Sequence, residues 1–157
     1  MAAFVLARRQ RVLHRPAHRL LWFIRLFIGD AEHYEEALLD SHGHVTLLQV
    51  AHHGSDTSTT PGFLAKTHPS YAVISAGKPE EGINADYCHP RALIVKRLTA
   101  LLGGPGSKTL HAFDGNRCAS SRPSDWVDVP TSDHFWATER DGDVVLTTKG
   151  DGVFVRE

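Results

Sequence analysis

A chain of 157 residues, 41% apolar and 22% charged, has the composition of a soluble globular protein, long enough for one substantial core and short for two domains. Its formal net charge of −1 gives no global reason to expect nucleic acid, and no stretch reaches the roughly 20 uninterrupted apolar residues of a membrane span. Eleven histidines against two cysteines is the one compositional excess, and it leans towards metal chemistry or surface histidine.

Residues 1–19 form a basic arm carrying Arg8, Arg9, Arg11, Arg15 and Arg19 with His14 and His18. The arm starts apolar and only then turns basic, the reverse of a secretory signal. It reads as a contact for nucleic acid or as a solvated tail, and its lack of period with Pro16 in its middle favours the tail. Residues 20–157 read as one domain. The run 20–28 (LLWFIRLFI) predicts a buried strand closed by Gly29 and Asp30. Residues 31–39 predict a short helix with Asp30 placed to cap it, so capping alone would account for this aspartate. His42 and His44, flanking Gly43, read as a solvent-facing turn.

Residues 45–51 predict the next buried strand, which ends in HHGSD at 52–56. No buried strand needs two histidines there for packing. Imidazoles and a carboxylate on a turn loosened by Gly54, at the end of a strand, are what an α/β protein offers a metal ion or a phosphate. Thr60 and Pro61 start a helix, a capping hydroxyl followed by proline at the first position. Residues 71–75 predict a third strand, 76–87 a long Gly/Pro/Asn loop, and 90–102 an amphipathic helix with Leu93, Ile94, Leu98 and Leu101 inward. The GGPGSKT of 103–109 stops that helix; it fails the phosphate-loop pattern because Ser107 precedes Lys108 and a strand follows. Residues 109–113 predict a fourth strand and 116–131 an irregular stretch. Residues 134–139 and 144–148 predict an antiparallel hairpin around Asp141 and Gly142, with a last short strand at 153–156.

The alternation of strands and helices gives α/β with a mixed sheet. Three loops fall at the C-terminal ends of strands, where an α/β sheet binds its ligands. They carry Asp30, the pair His52 and His53, and His89, which is a metal-ligand inventory. Ser55 lacks the nucleophile elbow of a serine hydrolase. Cys88 and Cys118 lie in no CxxC pattern and read as reduced thiols, consistent with a cytoplasmic or otherwise soluble protein.

The segments GDAE (29–32), LLQVAHHGS (47–55), YAVIS (71–75) and HP (89–90), in this order, resemble the metallo-β-lactamase superfamily, and within it the hydrolase domain of ComEC-type competence (DNA-uptake) proteins. The closing stretch 138–152 is also similar to the end of that domain. The resemblance covers roughly residues 26–156. It implies an αββα sandwich of which this chain spells the C-terminal half, in a family whose domain is normally tied to a membrane protein. It also implies a metal-dependent hydrolase of phosphodiester bonds, with zinc or manganese as the divalent metal and DNA or another phosphodiester as substrate. By the same resemblance Asp30 is the bridging metal ligand and a catalytic residue, His52 and His53 supply another catalytic metal ligand, and His89 lies near the metal. Ser55 and Asp56 are the candidate substrate contacts. Cys88 stands where the family has glycine, and Arg91 where it often has a second histidine. The family's H-x-H-x-D-H motif is absent from residues 1–28, so the chain reads as a partial domain, incomplete as a catalyst unless paired with an N-terminal half or self-associated. The alternative function is a non-catalytic remnant that acts as an interaction or nucleic-acid-binding module.

Overall fold

The computed structural model describes residues 10–11, 22–39 and 43–157. Most of the basic arm, and His42, lie outside the described residues. In chain order the elements are β1 (Gln10–Arg11), β2 (Trp22–Phe23), β3 (Arg25–Leu26), α1 (His33–Leu38), β4 (Leu47–Gln49), α2 (Pro61–Thr67), β5 (Tyr71–Ile74), α3 (Asn84–Tyr87), α4 (Ala92–Leu101), β6 (Lys108–Phe113), β7 (Trp126–Thr131), β8 (Phe135–Ala137), α5 (Thr138–Asp141), β9 (Leu146–Thr147) and β10 (Val155–Arg156).

The fold is α/β around a four-stranded sheet in the order β3-β4-β5-β8, with every pairing parallel. Three separate two-stranded antiparallel pairs, β1 with β2, β6 with β7 and β9 with β10, take the place of the single mixed sheet expected. Because all four central strands run the same way, their C-terminal ends share one rim. One face of the sheet packs α2 and α4 into the main core, where Leu48, Ala72, Ile74, Ile94, Val95 and Leu98 are wholly enclosed. The other face carries a smaller cluster of Leu47, Tyr71, Trp136 and Phe154. No helix among the described residues is long and apolar enough to cross a membrane.

Helix α2 starts as its sequence dictates: Thr60 Oγ1 accepts from the Phe63 amide at 3.2 Å and Pro61 opens the first turn. A second cap comes from α1. Glu36, 1% exposed, accepts from the amides of Thr59 and Thr60, so a buried carboxylate ties the two helices together.

Several expectations are corrected. Asp30 does not cap α1; Glu32 does, in a reciprocal capping box with Glu35, which frees Asp30 for the rim. In α4 the inward stripe runs through Ala92, Ile94, Val95 and Leu98, while Leu93 and Leu101 are 53% and 38% exposed. At about 100° per residue, a stripe centred between Val95 and Leu98 leaves Leu93 on the opposite side of the helix and Leu101 at the edge of the buried face. The stretch 116–131 is not wholly irregular: its end is β7, paired with β6 along six residues, and Pro130 is tolerated because the pair has free edges. Nor is there a hairpin around Asp141 and Gly142. Residues 135–137 join the parallel sheet, and Asp141 ends α5 with its carboxylate 4% exposed among Arg140 (2.6 Å), Arg156 (3.2 Å) and Lys108 (3.4 Å). An aspartate bound by three cations is drawn inwards, and Gly142 at φ 67° becomes a helix C-cap. The closing antiparallel pair is β9 with β10, turning through Gly150 and Gly152. Finally, Cys88 and Cys118 are joined in a disulfide with their Cα atoms 5.6 Å apart, so the reading of reduced thiols is corrected. The sequence spacing held no sign of it because the bond links α3 to a turn 30 residues later.

Candidate functional site

Three rim loops are stitched together through backbone. The His52 amide donates to the Gly29 carbonyl at 2.9 Å, the His33 amide to the Thr57 carbonyl at 2.9 Å, and the Arg91 amide to the Gly54 carbonyl at 3.0 Å. These bonds bring the ends of β3 and β4 against the segment that precedes α4. His52 and His53 both adopt left-handed backbone (φ 46° and 54°), followed by Gly54 at φ 82°. Left-handed conformations of two consecutive side-chain-bearing residues are costly and cluster at functional sites. A Cβ on Gly54 would lie 2.9 Å from Pro90 Cβ and 3.2 Å from Ile74 Cδ1, so only glycine lets the turn close on the His89–Pro90 segment.

The loops enclose a cavity of about 480 Å³ lined by Asp30, His52, His53 and His89 together with Ile83 and Tyr87 of the α3 segment. Each imidazole is held differently. His53 Nδ1 lies 2.6 Å from the Ser75 carbonyl oxygen, which only accepts, so Nδ1 carries a hydrogen and donates it, and Nε2 is the nitrogen left to the cavity. That Nε2 is 3.4 Å from Asp30 Oδ1. His52 Nδ1 sits between Glu32 Oε1 (3.3 Å) and Thr57 Oγ1 (3.4 Å), and Thr57 Oγ1 donates to the same carboxylate at 3.0 Å. Its remaining nitrogen is again Nε2. His89 is 9% exposed, its ring centroid 5.7 Å from that of His52, and its Nδ1 has no hydrogen-bond partner among the described residues. Burial first, and then the neighbouring charges of His52, His53 and Arg91, push its pKa down to about 4, with Asp56 opposing. His89 is therefore a neutral ring at pH 7.

Ser55 and Asp56 stand outside this cavity. Ser55 is buried, its Oγ 3.0 Å from Thr57 Oγ1. Asp56 pairs with Arg91 at 3.2 Å, and Arg91 in turn lies over the Phe113 ring at 4.7 Å. His44, 2.8 Å from Ser70 Oγ, is exposed and lies elsewhere.

The residues that support the imidazoles are less visible in sequence. Glu32 lies two positions from Asp30 and orients His52, although its motif gave it no separate role. Asn84 is a clamp: Nδ2 donates to the carbonyls of His89 (2.6 Å), Gly77 (2.9 Å) and Lys78 (3.2 Å), and Oδ1 accepts from the His89 amide at 2.8 Å. An asparagine five residues before a histidine, in a loop of glycine and proline, is the only hint the chain offers of this.

The donor chemistry suits a divalent cation in part. Asp30 Oδ1 and His53 Nε2 face each other, and the buried Nδ1 of His89 lacks a partner. Yet among the described residues no group of three or more His, Cys, Asp or Glu side chains is set to hold a metal ion. Asp30 and His53 are two such side chains that do come together, 3.4 Å apart.

An α/β protein with a parallel sheet and a rim of imidazoles and carboxylates is the class that fold and site define. The chain is similar to Recombination protein 2 of Haemophilus influenzae, 43% identical over 54 residues, which is 34% of this chain and 7% of that protein. No family model matches the chain, and no solved structure matches it.

Proposed function

We propose that this chain is a metal-dependent hydrolase of the metallo-β-lactamase type, acting on phosphodiester bonds. The observation that carries this reading is the pair Asp30–His53. With Nδ1 of His53 committed to the Ser75 carbonyl, its Nε2 is turned to Asp30 Oδ1 at 3.4 Å, which sets an imidazole and a carboxylate side by side as two donors for one cation. Asp30 and His53 would hold that cation, zinc or manganese, with His52 and His89 beside it. When bound, it supplies Lewis acidity and eases loss of a proton from water.

The chain's own residues do the rest. Ser75 fixes the His53 ring. Glu32 and Thr57 fix His52 so that its Nε2 can accept a proton from water in the cavity. Asn84 fixes the backbone of His89, whose neutral ring adds no positive charge beside a cation. The similar Haemophilus protein is named for recombination, which favours DNA among phosphodiesters. The finer fold we propose is half of an αββα sandwich. The groove of about 310 Å³ lined by Phe27, Gln49 and Val73 lies on the sheet face where a second half, or a second copy, would pack.

A second reading is a non-catalytic module that keeps the rim without turnover, since Asp30 and His53 have no third metal donor grouped with them among the described residues. The test is hydrolysis of bis(p-nitrophenyl) phosphate and of a labelled DNA strand with added manganese or zinc. Turnover that falls about a hundredfold or more in Asp30→Ala and His53→Ala supports the hydrolase. A wild type that binds metal and cleaves neither substrate supports the module.

A further inference from the structure

Strand β8 brings a fourth element to the rim. It pairs with β5 in a register that sets Ile74 beside Ala137, so the next residues, Ser75 and Thr138, leave the sheet side by side. Thr138 opens α5, and a threonine at a helix start ordinarily spends its hydroxyl on amides of its own helix. This hydroxyl is spent elsewhere. Its Oγ1 accepts from the Ala76 amide at 3.0 Å and donates to the Ala76 carbonyl at 2.9 Å, across 62 residues of chain.

The Ala76 amide belongs to the same planar peptide group as the Ser75 carbonyl. That carbonyl is the one that accepts from His53 Nδ1 at 2.6 Å. One peptide plane is therefore held at both ends, by His53 on its oxygen and by Thr138 on its nitrogen. Ser75 is exposed, at the start of a loop bearing Gly77, Pro79 and Gly82, so the hold from Thr138 matters. Thr138 itself is firmly seated. The Ala137 amide before it donates to Asp141 Oδ2 at 3.0 Å, and its own carbonyl accepts from the Gly142 amide at 3.0 Å. Asp141 is in turn fixed by Arg140, Arg156 and Lys108.

What the hold decides is the hydrogen on His53. A neutral imidazole has one ring hydrogen, and the nitrogen that bears it cannot ligate a cation. Two acceptors compete for it, the Ser75 carbonyl at Nδ1 and Asp30 Oδ1 at 3.4 Å from Nε2. A carboxylate is the stronger acceptor. The carbonyl keeps the hydrogen only while it stays fixed at short range, and only then is Nε2 free for a cation.

We propose that Thr138 is a positioning residue for His53: through the Ser75–Ala76 peptide it keeps the ring hydrogen on Nδ1 and leaves Nε2 open to a cation shared with Asp30. The cation rests on the metal reading above; the control of the ring hydrogen does not.

The test is nitrogen NMR of the metal-free whole chain labelled at histidine, at about pH 8.5, well above the usual imidazole pKa of about 6.5. His53→Gln assigns the ring. Thr138→Val keeps the side-chain shape and removes the hydroxyl, whereas Thr138→Ser keeps the hydroxyl. Wild type and Thr138→Ser should carry the hydrogen on Nδ1 of His53. Thr138→Val should move it to Nε2 in at least about half of the molecules, with the remote His44 ring unchanged. Zinc affinity by calorimetry should fall at least about tenfold in Thr138→Val and stay within about threefold of wild type in Thr138→Ser. A hydrogen that stays on Nδ1 in Thr138→Val, or a Thr138→Ser protein that behaves like Thr138→Val, would overturn the proposal. Wild-type hydrogen exchange needs no variant to fold: the Ala76 amide should exchange at least about tenfold more slowly than in an unfolded chain, and unprotected exchange would overturn the hold. A wild type that takes up no zinc, while its ring hydrogen responds to Thr138→Val as expected, would remove the metal reading and leave the positioning role standing.

Discussion

Replacing Gly54 by alanine probes how the histidine turn is locked against the segment bearing His89. Two costs add. Alanine at φ 82° occupies left-handed backbone, about 1–2 kcal/mol for a residue with a Cβ. The new Cβ would also sit 2.9 Å from Pro90 Cβ and 3.2 Å from Ile74 Cδ1, a close-packed contact whose relief costs about 1–3 kcal/mol. Neither neighbour has room to yield: Ile74 is wholly buried in the sheet, and Pro90 is held by the Phe113 amide on its carbonyl at 2.9 Å. The expected loss is about 2–5 kcal/mol in urea denaturation, with Tm lower by on the order of 5–15 °C. Gly62→Ala is the control. Gly62 lies in α2 at ordinary φ with nothing within 4 Å of its added Cβ, so alanine there should stabilise by about 0.5–1 kcal/mol. A Gly54→Ala protein within about 0.5 kcal/mol of wild type, the usual range for an unremarkable surface change, would refute the reasoning.

Further consequences can be measured on the same footing. Asp141→Ala leaves Arg140, Arg156 and Lys108 without their shared carboxylate, and should cost about 3–5 kcal/mol and speed amide exchange in the β9–β10 pair. Burial, reinforced by Asp128 and opposed by His111 and Arg140, raises the pKa of Glu139 to about 7 from 4.5. Between those values the folded protein keeps a proton that the unfolded chain releases, so this residue's contribution is full below pH 4.5 and is lost as pH rises through about 7. Allowing for the solvent that reaches it, the loss is on the order of 1–2 kcal/mol; Glu139→Gln should flatten that slope, and an unchanged slope would exclude this cause. Opening the Cys88–Cys118 bond by Cys118→Ser releases a loop of 30 residues and should cost about 3–4 kcal/mol in chemical unfolding. Free-thiol titration of the unreduced wild type should find none.

The rim was legible because its logic is one-dimensional. Apolar runs ending in Gly29-Asp30 and His52-His53, in an alternating strand and helix order, can only bring those ends together when the strands are parallel, and they are. The start of α2 was equally plain, since Thr60 and Pro61 act on their immediate neighbours. What escaped depends on distant partners. Asp141 next to glycine is a hairpin signal until three cations from β6, α5 and β10 bury it. Trp126 to Thr131 looks irregular until β6 pairs with it. Leu93 and Leu101 are apolar yet exposed, because α4 turns Val95 inward instead. In the site, residue types announced chemistry but not geometry. The left-handed backbone of His52 and His53, the Ser75 carbonyl that sets a tautomer and the Asn84 clamp arise only once the loops meet.

The most direct measurement is calorimetric titration of the purified, metal-stripped chain with manganese and with zinc, wild type beside Asp30→Ala and His53→Ala. Binding of about one equivalent to wild type, weakened at least about tenfold in both variants, is the expected result. A wild type that takes up neither ion, or variants that bind as it does, would contradict a metal site at Asp30 and His53.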